Sequence, residues 1–141
     1  MSAQSNSQFA RTLYQHFNEG NLEAALSMVA DDVNIVLYPL GQTFKGRGGF
    51  GQFMHGFHDA FPDMKVEVKN QVAADDSVVN EFVARGTHTA PLMTPAGPVP
   101  PTGRKVELNV CEVWGLRDGK LASLHNYQDM ASMMRQLGLI N

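Results

Sequence analysis

Cysteine is nearly absent: the chain holds one, Cys111, in 141 residues. An internal disulfide is therefore excluded, as is a cysteine-based zinc site within one chain. Charge is also scarce. Only 18% of residues are charged, with 11 Lys and Arg against 14 Asp and Glu, for a net charge of -3. A nucleic-acid-binding surface needs a clustered basic excess, and none is present. No apolar run approaches the ~18–20 residues that span a bilayer. The N-terminal stretch through Leu13 lacks the basic-then-apolar pattern of a secretion signal. The expected protein is cytoplasmic, with neither nucleic acid nor membrane as a partner. Internal repeats are also missing, so residues 1–141 are read as one domain.

What the chain does have is apolar mass in a periodic arrangement. Hydrophobic residues make up 43% of it, enough for a single core without staples. Residues 5–18 read as an amphipathic helix, because Phe9, Leu13 and Phe17 recur every four positions and Gly20 follows as a stop. Asn21 caps a second helix with Leu22, Ala25, Leu26 and Val29 on one stripe, ended by Asp31-Asp32. Residues 33–38 read as a strand. Gly46, Gly48 and Gly49 read as a loop, followed by a helix over 50–60 with Phe50, Phe53, Met54, Phe57 and Phe61 on one face.

The period then falls from about four to two. Strands are expected over 64–73, 78–89, 105–116 and 120–128, and a last helix over 130–137. Residues 91–103 hold five of the seven prolines and read as a stiff, irregular loop. The order gives an α+β fold, with helices packed on one face of a curved antiparallel sheet and a C-terminal helix. Few helices cannot cover such a sheet fully, so a cone-like cavity between the layers is expected.

The strand 105–116 carries the first chemical signal. Its even positions are Val106, Leu108, Val110, Glu112, Trp114 and Leu116, five of them apolar, so this face points inward. Glu112 is then a carboxyl among apolar neighbours. Burial disfavours its charge and raises its pKa, which suits a general base or acid. Its partner depends on the next turn. A two-residue Asp118-Gly119 turn brings Leu121, Ser123, His125 and Tyr127 inward and sets His125 across from Glu112. A three-residue loop, with Gly119 as a bulge, brings Ala122, Leu124, Asn126 and Gln128 inward instead.

Other candidates surround this pair. His88, in Gly86-Thr87-His88-Thr89, reads as an acid or base at the cavity mouth, or as a structural hydrogen-bonder to the Pro-rich loop. Arg85 reads as an anion ligand, or as one half of an ion pair with Glu81 or Glu67. Tyr14, Tyr38, Phe53, Phe57 and Trp114 are candidate walls for an apolar ligand, with Met93 and the Pro-rich loop over the mouth. His55 and His58 have a spacing that can hold a metal, but no third ligand is evident and no metal is expected.

Several segments together resemble the SnoaL-like polyketide cyclase family, within the nuclear-transport-factor-2-like fold group. They are Phe61-Pro62-Asp63, the 85–89 stretch, Pro101-Thr102-Gly103-Arg104, Arg117-Asp118-Gly119-Lys120-Leu121 and Arg135-Gln136-Leu137-Gly138. The resemblance implies a cone-shaped α+β barrel, often dimeric, with an apolar pocket and no cofactor. Family cyclases close a ring by an intramolecular aldol reaction on a polyketide methyl ester. Their catalytic aspartate falls on Asn126 here, and their two polar helpers fall on Val110 and Glu112. Because it turns position 126 inward, the resemblance favours the second register. Asp129, a later aspartate shared with the family, reads as a helix cap.

Three functions are compatible with these features. The first is a cofactor-independent acid–base enzyme on a small hydrophobic carbonyl or ester, with Glu112 as base and Asn126 as oxyanion donor. The second is a non-catalytic module binding a small hydrophobic molecule in the same cavity. The third is an interaction protein that forms a homodimer through its outer sheet face.

Overall fold

The computed structural model describes residues 2–141. Helix α1 (Ala3–Asn18) begins at Ser2, whose side chain accepts the Ser5 amide while Ser5 Oγ accepts the Ser2 amide, both at 3.1 Å. This reciprocal cap satisfies donors that a helix start leaves without intrahelical partners. The stripe Ala10, Leu13 and Tyr14 is buried. Helix α2 (Leu22–Leu26) is short and capped by the Asn21 side chain.

Helix α3 (Gly46–Ala60) starts earlier than its sequence suggests and takes the expected glycine loop into its first turn. Packing explains this. A Cβ on Gly49 would lie 3.0 Å from the Phe44 carbonyl carbon, so the glycine allows helix and neighbouring strand to touch. Phe50, Phe53 and Met54 then enter the core as the four-residue spacing implies. Helix α4 (Met130–Gln136) is capped by Asp129, which accepts the Ser132 amide at 3.0 Å.

The main sheet has six strands. In chain order they are β1 (Val29–Leu37), β2 (Gln42–Lys45), β3 (Lys65–Ala73), β4 (Ser77–Thr87), then β7 (Lys105–Arg117) and β8 (Lys120–Gln128). Between them a small separate hairpin, β5 (Leu92–Thr94) and β6 (Gly97–Val99), organises the Pro-rich stretch expected to be irregular. The sheet order is β2-β1-β8-β7-β4-β3. Every neighbouring pair is antiparallel except β1 with β8, which is parallel, so the sheet is mixed. A parallel pair needs a long crossover, and here nearly the whole chain between β1 and β8 supplies it. Asp31 and Asp32 lie within β1 rather than ending α2, and Asp32 pairs with Arg117.

The β7–β8 hairpin combines the two registers the sequence left open. Asp118 and Gly119 have φ of 52° and 73°, so they form a two-residue turn of the type that matches strand twist. Arg117 pairs with Lys120 and Leu116 with Leu121, but Gly115 then pairs with Ser123. Ala122 is the extra residue, a bulge. The expected three-residue loop is therefore corrected: the one-residue shift lies inside β8, not in the turn. Leu121 and Leu124, three apart, are both buried. Beyond the bulge Asn126 stands opposite Glu112.

Candidate active site

The helices and the inner sheet face enclose a cavity with about 70 Å³ of room for the centres of water-sized molecules. One water needs about 10–15 Å³ by this measure, so several waters or a compact ligand fit. The walls are almost wholly apolar. Tyr14 and Phe17 of α1, Phe50, Phe53 and Phe57 of α3, and Trp114 of β7 provide most of the aromatic surface. The polar wall is formed by Glu112 on β7 and by Asn126 and Gln128 on β8. Phe17, Phe57, Val66 and Gln128 are the half-buried liners, where the lining approaches solvent.

Glu112 is 4% exposed and Asn126 3%. Three donors converge on the Glu112 carboxylate. The Tyr14 hydroxyl reaches Oε1 at 2.6 Å, the Trp114 indole N–H reaches Oε1 at 3.2 Å, and Asn126 Nδ2 reaches Oε2 at 2.7 Å. Gln128 Nε2 in turn donates to Asn126 Oδ1 at 2.9 Å, which fixes the Asn126 amide with its N–H group toward the carboxylate. A carboxylate has about four acceptor sites. Three are filled, which leaves one.

Burial pushes the Glu112 carboxyl above the usual glutamate range, and the bonds from Tyr14, Asn126 and Trp114 pull it partly back. Tyr14 is pushed well above the usual tyrosine range, first by burial and then by the Glu112 charge. The phenol therefore stays a donor. Glu112 and Tyr14 are the only ionisable groups among the residues lining the cavity.

The cavity gathers six of the ten expected site residues: Glu112, Asn126, Tyr14, Phe53, Phe57 and Trp114. The other four lie elsewhere. His125 is on the outer face, because alternation beyond the Ala122 bulge turns it away from Glu112, and it pairs with Val113. Tyr38 is 49% exposed on that face, stacked on Tyr127 at 4.7 Å and edge-on to His125 at 5.8 Å. Arg85 is exposed and pairs with Glu67 at 3.0 Å and Glu107 at 3.4 Å. His88 is buried outside the cavity, where its Nδ1 accepts the Thr102 amide at 3.2 Å and so ties down the end of the Pro-rich stretch. Burial lowers its pKa.

Met93 is exposed, and no residue of 91–103 lines the cavity, so that stretch does not cover it. His55 and His58 both face Asp59, at 3.2 and 3.9 Å. Among the described residues no three His, Cys, Asp or Glu side chains cluster as metal ligands. No helix among them is long and apolar enough to cross a membrane. Gln128 was given no role by the sequence, although the i, i+2 relation to Asn126 already places the two on one face.

Comparison with known proteins decides the family. Residues 7–137 match the profile of SnoaL-like polyketide cyclases. The chain belongs to the SnoaL-like polyketide cyclase family. IdmH from Streptomyces antibioticus, provisionally described as a polyketide cyclase, is 33% identical; the match covers 94% of this chain and 97% of IdmH, with a TM-score of 0.76. AclR from Streptomyces galilaeus, provisionally described as a hydroxylase, has the same fold at 22% identity, covering 99% and 100% of the two chains with a TM-score of 0.84. A SnoaL-like protein from Jannaschia sp. CCS1 shares the fold at 20% identity, covering 96% and 94%, with a TM-score of 0.80. Among curated protein sequences none matches. The carboxylate in this cavity belongs to Glu112, directly across the hairpin from Asn126.

Proposed function

We propose that this member of the SnoaL-like family is a cofactor-independent acid–base enzyme acting on a small apolar carbonyl or ester compound. The observation that carries the reading is a single carboxylate, Glu112, set in an apolar cavity with one acceptor site unfilled. In the proposed step a C–H bond next to the substrate carbonyl breaks. Its proton bonds to Glu112, and the electron pair moves to the carbonyl oxygen as an enolate. Asn126 Nδ2 has two hydrogens and one protein partner, so its second N–H is available to that oxygen. A base works best with a pKa near the working pH, and burial moves Glu112 in that direction. The enolate then attacks a second carbonyl within the substrate or is reprotonated elsewhere. Ring closure and isomerisation both follow from this intermediate.

The same hydrogen bonds also support a non-catalytic binding module, in which Glu112 only orients the cavity wall. Glu112→Gln separates the two. The probe is para-hydroxyacetophenone in D2O, with deuterium entry at its acetyl methyl followed by NMR. For the enzyme, Glu112→Gln lowers protein-dependent exchange by about 10²- to 10⁴-fold and changes probe affinity by only about a few-fold. Exchange that is equal in wild type and variant removes the acid–base reading and leaves the binding module.

A further inference from the structure

We infer that Gln128 is the ligand-orienting residue of the cavity, and that its side-chain oxygen selects compounds carrying a hydroxyl group. The inference rests on the cavity being the ligand site, as proposed above, and adds the chemistry of what it takes.

The hydrogen bonds of the polar wall form one directed chain. Gln128 Nε2 donates to Asn126 Oδ1, and Asn126 Nδ2 donates to Glu112 Oε2. The Tyr14 hydroxyl and the Trp114 N–H close the other carboxylate oxygen. The ladder therefore runs one way, amide to amide to carboxylate. It begins at Gln128, whose Oε1 is buried and has no hydrogen-bond partner. A buried acceptor without a donor is costly. Turning the amide round would not help, because Nε2 would then leave Asn126 Oδ1 and the oxygen would face another oxygen. Only a donor arriving in the cavity completes the set: water when no ligand is bound, and an O–H group of the ligand when one is.

The geometry gives this donor a place relative to the base. Gln128 pairs with Val110 on β7, and Glu112 pairs with Asn126. Gln128 and Glu112 are thus diagonal neighbours on one sheet face, roughly 7–8 Å apart. Gln128 is half-buried, whereas Glu112 is deep. The fitting ligand is a compact apolar carbonyl compound with its acidic C–H at one end and a hydroxyl about one ring away. The hydroxyl sits toward the half-buried end of the wall, and the carbon acid lies beside Glu112. Phe53, Phe57 and Met54 provide apolar surface and no competing donor.

A matched pair of probes tests this: para-hydroxyacetophenone and para-methylacetophenone, in which a methyl replaces the hydroxyl at similar size. Affinity is read by calorimetry, and deuterium entry at the acetyl methyl by NMR. Wild type is expected to bind the hydroxyl compound about tenfold more tightly than the methyl compound. Gln128→Met keeps the side-chain length, removes both polar atoms and is expected to bind the two alike. The preference of wild type is informative by itself should the variant fail to fold. Glu112→Gln is expected to lose exchange while still binding the probes. A wild type that exchanges both probes but binds them equally overturns the role of Gln128 and leaves Glu112 as base. A wild type that prefers the hydroxyl probe but exchanges neither supports Gln128 and overturns the acid–base reading. Binding of neither probe overturns both. A preference that survives in folded Gln128→Met overturns the assignment to this side chain.

Discussion

At the scale of single residues, Glu112 is set by opposing effects of known sign. Burial favours its neutral form, and three donors favour the anion. Removing one donor should therefore move the group in a defined direction. Tyr14→Phe deletes the 2.6 Å bond to Oε1 and leaves the ring against Phe82 and Trp114. The Glu112 carboxyl then rises further. A base must be ionised to act, so the acid limb of the pH–rate profile for methyl exchange should move to higher pH in Tyr14→Phe. At a fixed pH below that limb the variant should be slower, and on the plateau its rate should approach wild type or exceed it, since a more basic carboxylate is the stronger base. A limb that stays in place would mean that the titrating group is not Glu112. The identity of this residue was readable from the sequence, because alternation along one strand leaves one polar side chain on an apolar face. Its donors were less readable. Tyr14 and Trp114 look like ordinary core aromatics until the fold brings their polar atoms to one carboxylate.

At the scale of elements, the decisive feature is the bulge in β8. Helices α1 and α3 and the strands β3, β4 and β7 follow from periodicity, since a buried stripe repeats along each of them. The bulge does not follow, because Leu121, Ala122 and Leu124 are compatible with either face until their neighbours are known. Likewise β2 is too short to show a period, and the parallel pairing of β1 with β8 joins segments far apart in the chain. His125 and Tyr38 were placed at the site on one reading of the hairpin and on aromatic character. Alternation beyond Ala122 puts His125 on the outer face, and Tyr38, just past the end of β1, packs against it there. This makes the bulge testable. Leu121 faces in and Ser123 faces out, so deleting Ala122 restores plain alternation between them and leaves Ser123 opposite Gly115. Asn126 should still face Glu112, and methyl exchange should remain within about a few-fold of wild type, provided the strand alone sets the register. Loss of exchange in a folded deletion variant, with His125 brought inward by NMR contacts, would mean that the bulge itself holds the register.

At the scale of the whole molecule, the buried carboxyl links function to stability. The folded chain holds the Glu112 proton more tightly than the unfolded chain does, because burial raises its pKa. Below the usual glutamate range both states are protonated, and this group costs nothing. As pH rises from that range through the raised folded value, the unfolded state loses its proton first, and stability falls. Groups whose values folding lowers act with the opposite sign, among them Glu67, held down by its hydrogen bond from Arg85. Asp63 is held below the usual aspartate range by the Thr87 amide at 2.7 Å and hydroxyl at 2.8 Å, so its contribution is present above that range and lost as pH falls through it. His88 is lowered by burial, so folding gains stability as pH rises from its folded value to the usual histidine range. A single pH–stability curve mixes all of these. The difference between wild type and Glu112→Gln isolates one, because Asp63 and His88 are common to both. Glu112→Gln can also keep the wall bonded: the Asn126 and Gln128 amides turn together, and the oxygen of Gln128 has no protein bond to lose in doing so. The expected outcome is that the variant gains on wild type as pH rises above the usual glutamate range, and that the gap then stays constant up to about pH 9, below the tyrosine range. Urea unfolding at a series of pH values measures it. Parallel curves across that range would show that the Glu112 proton has the same affinity in both states, which a carboxyl so deeply buried does not permit.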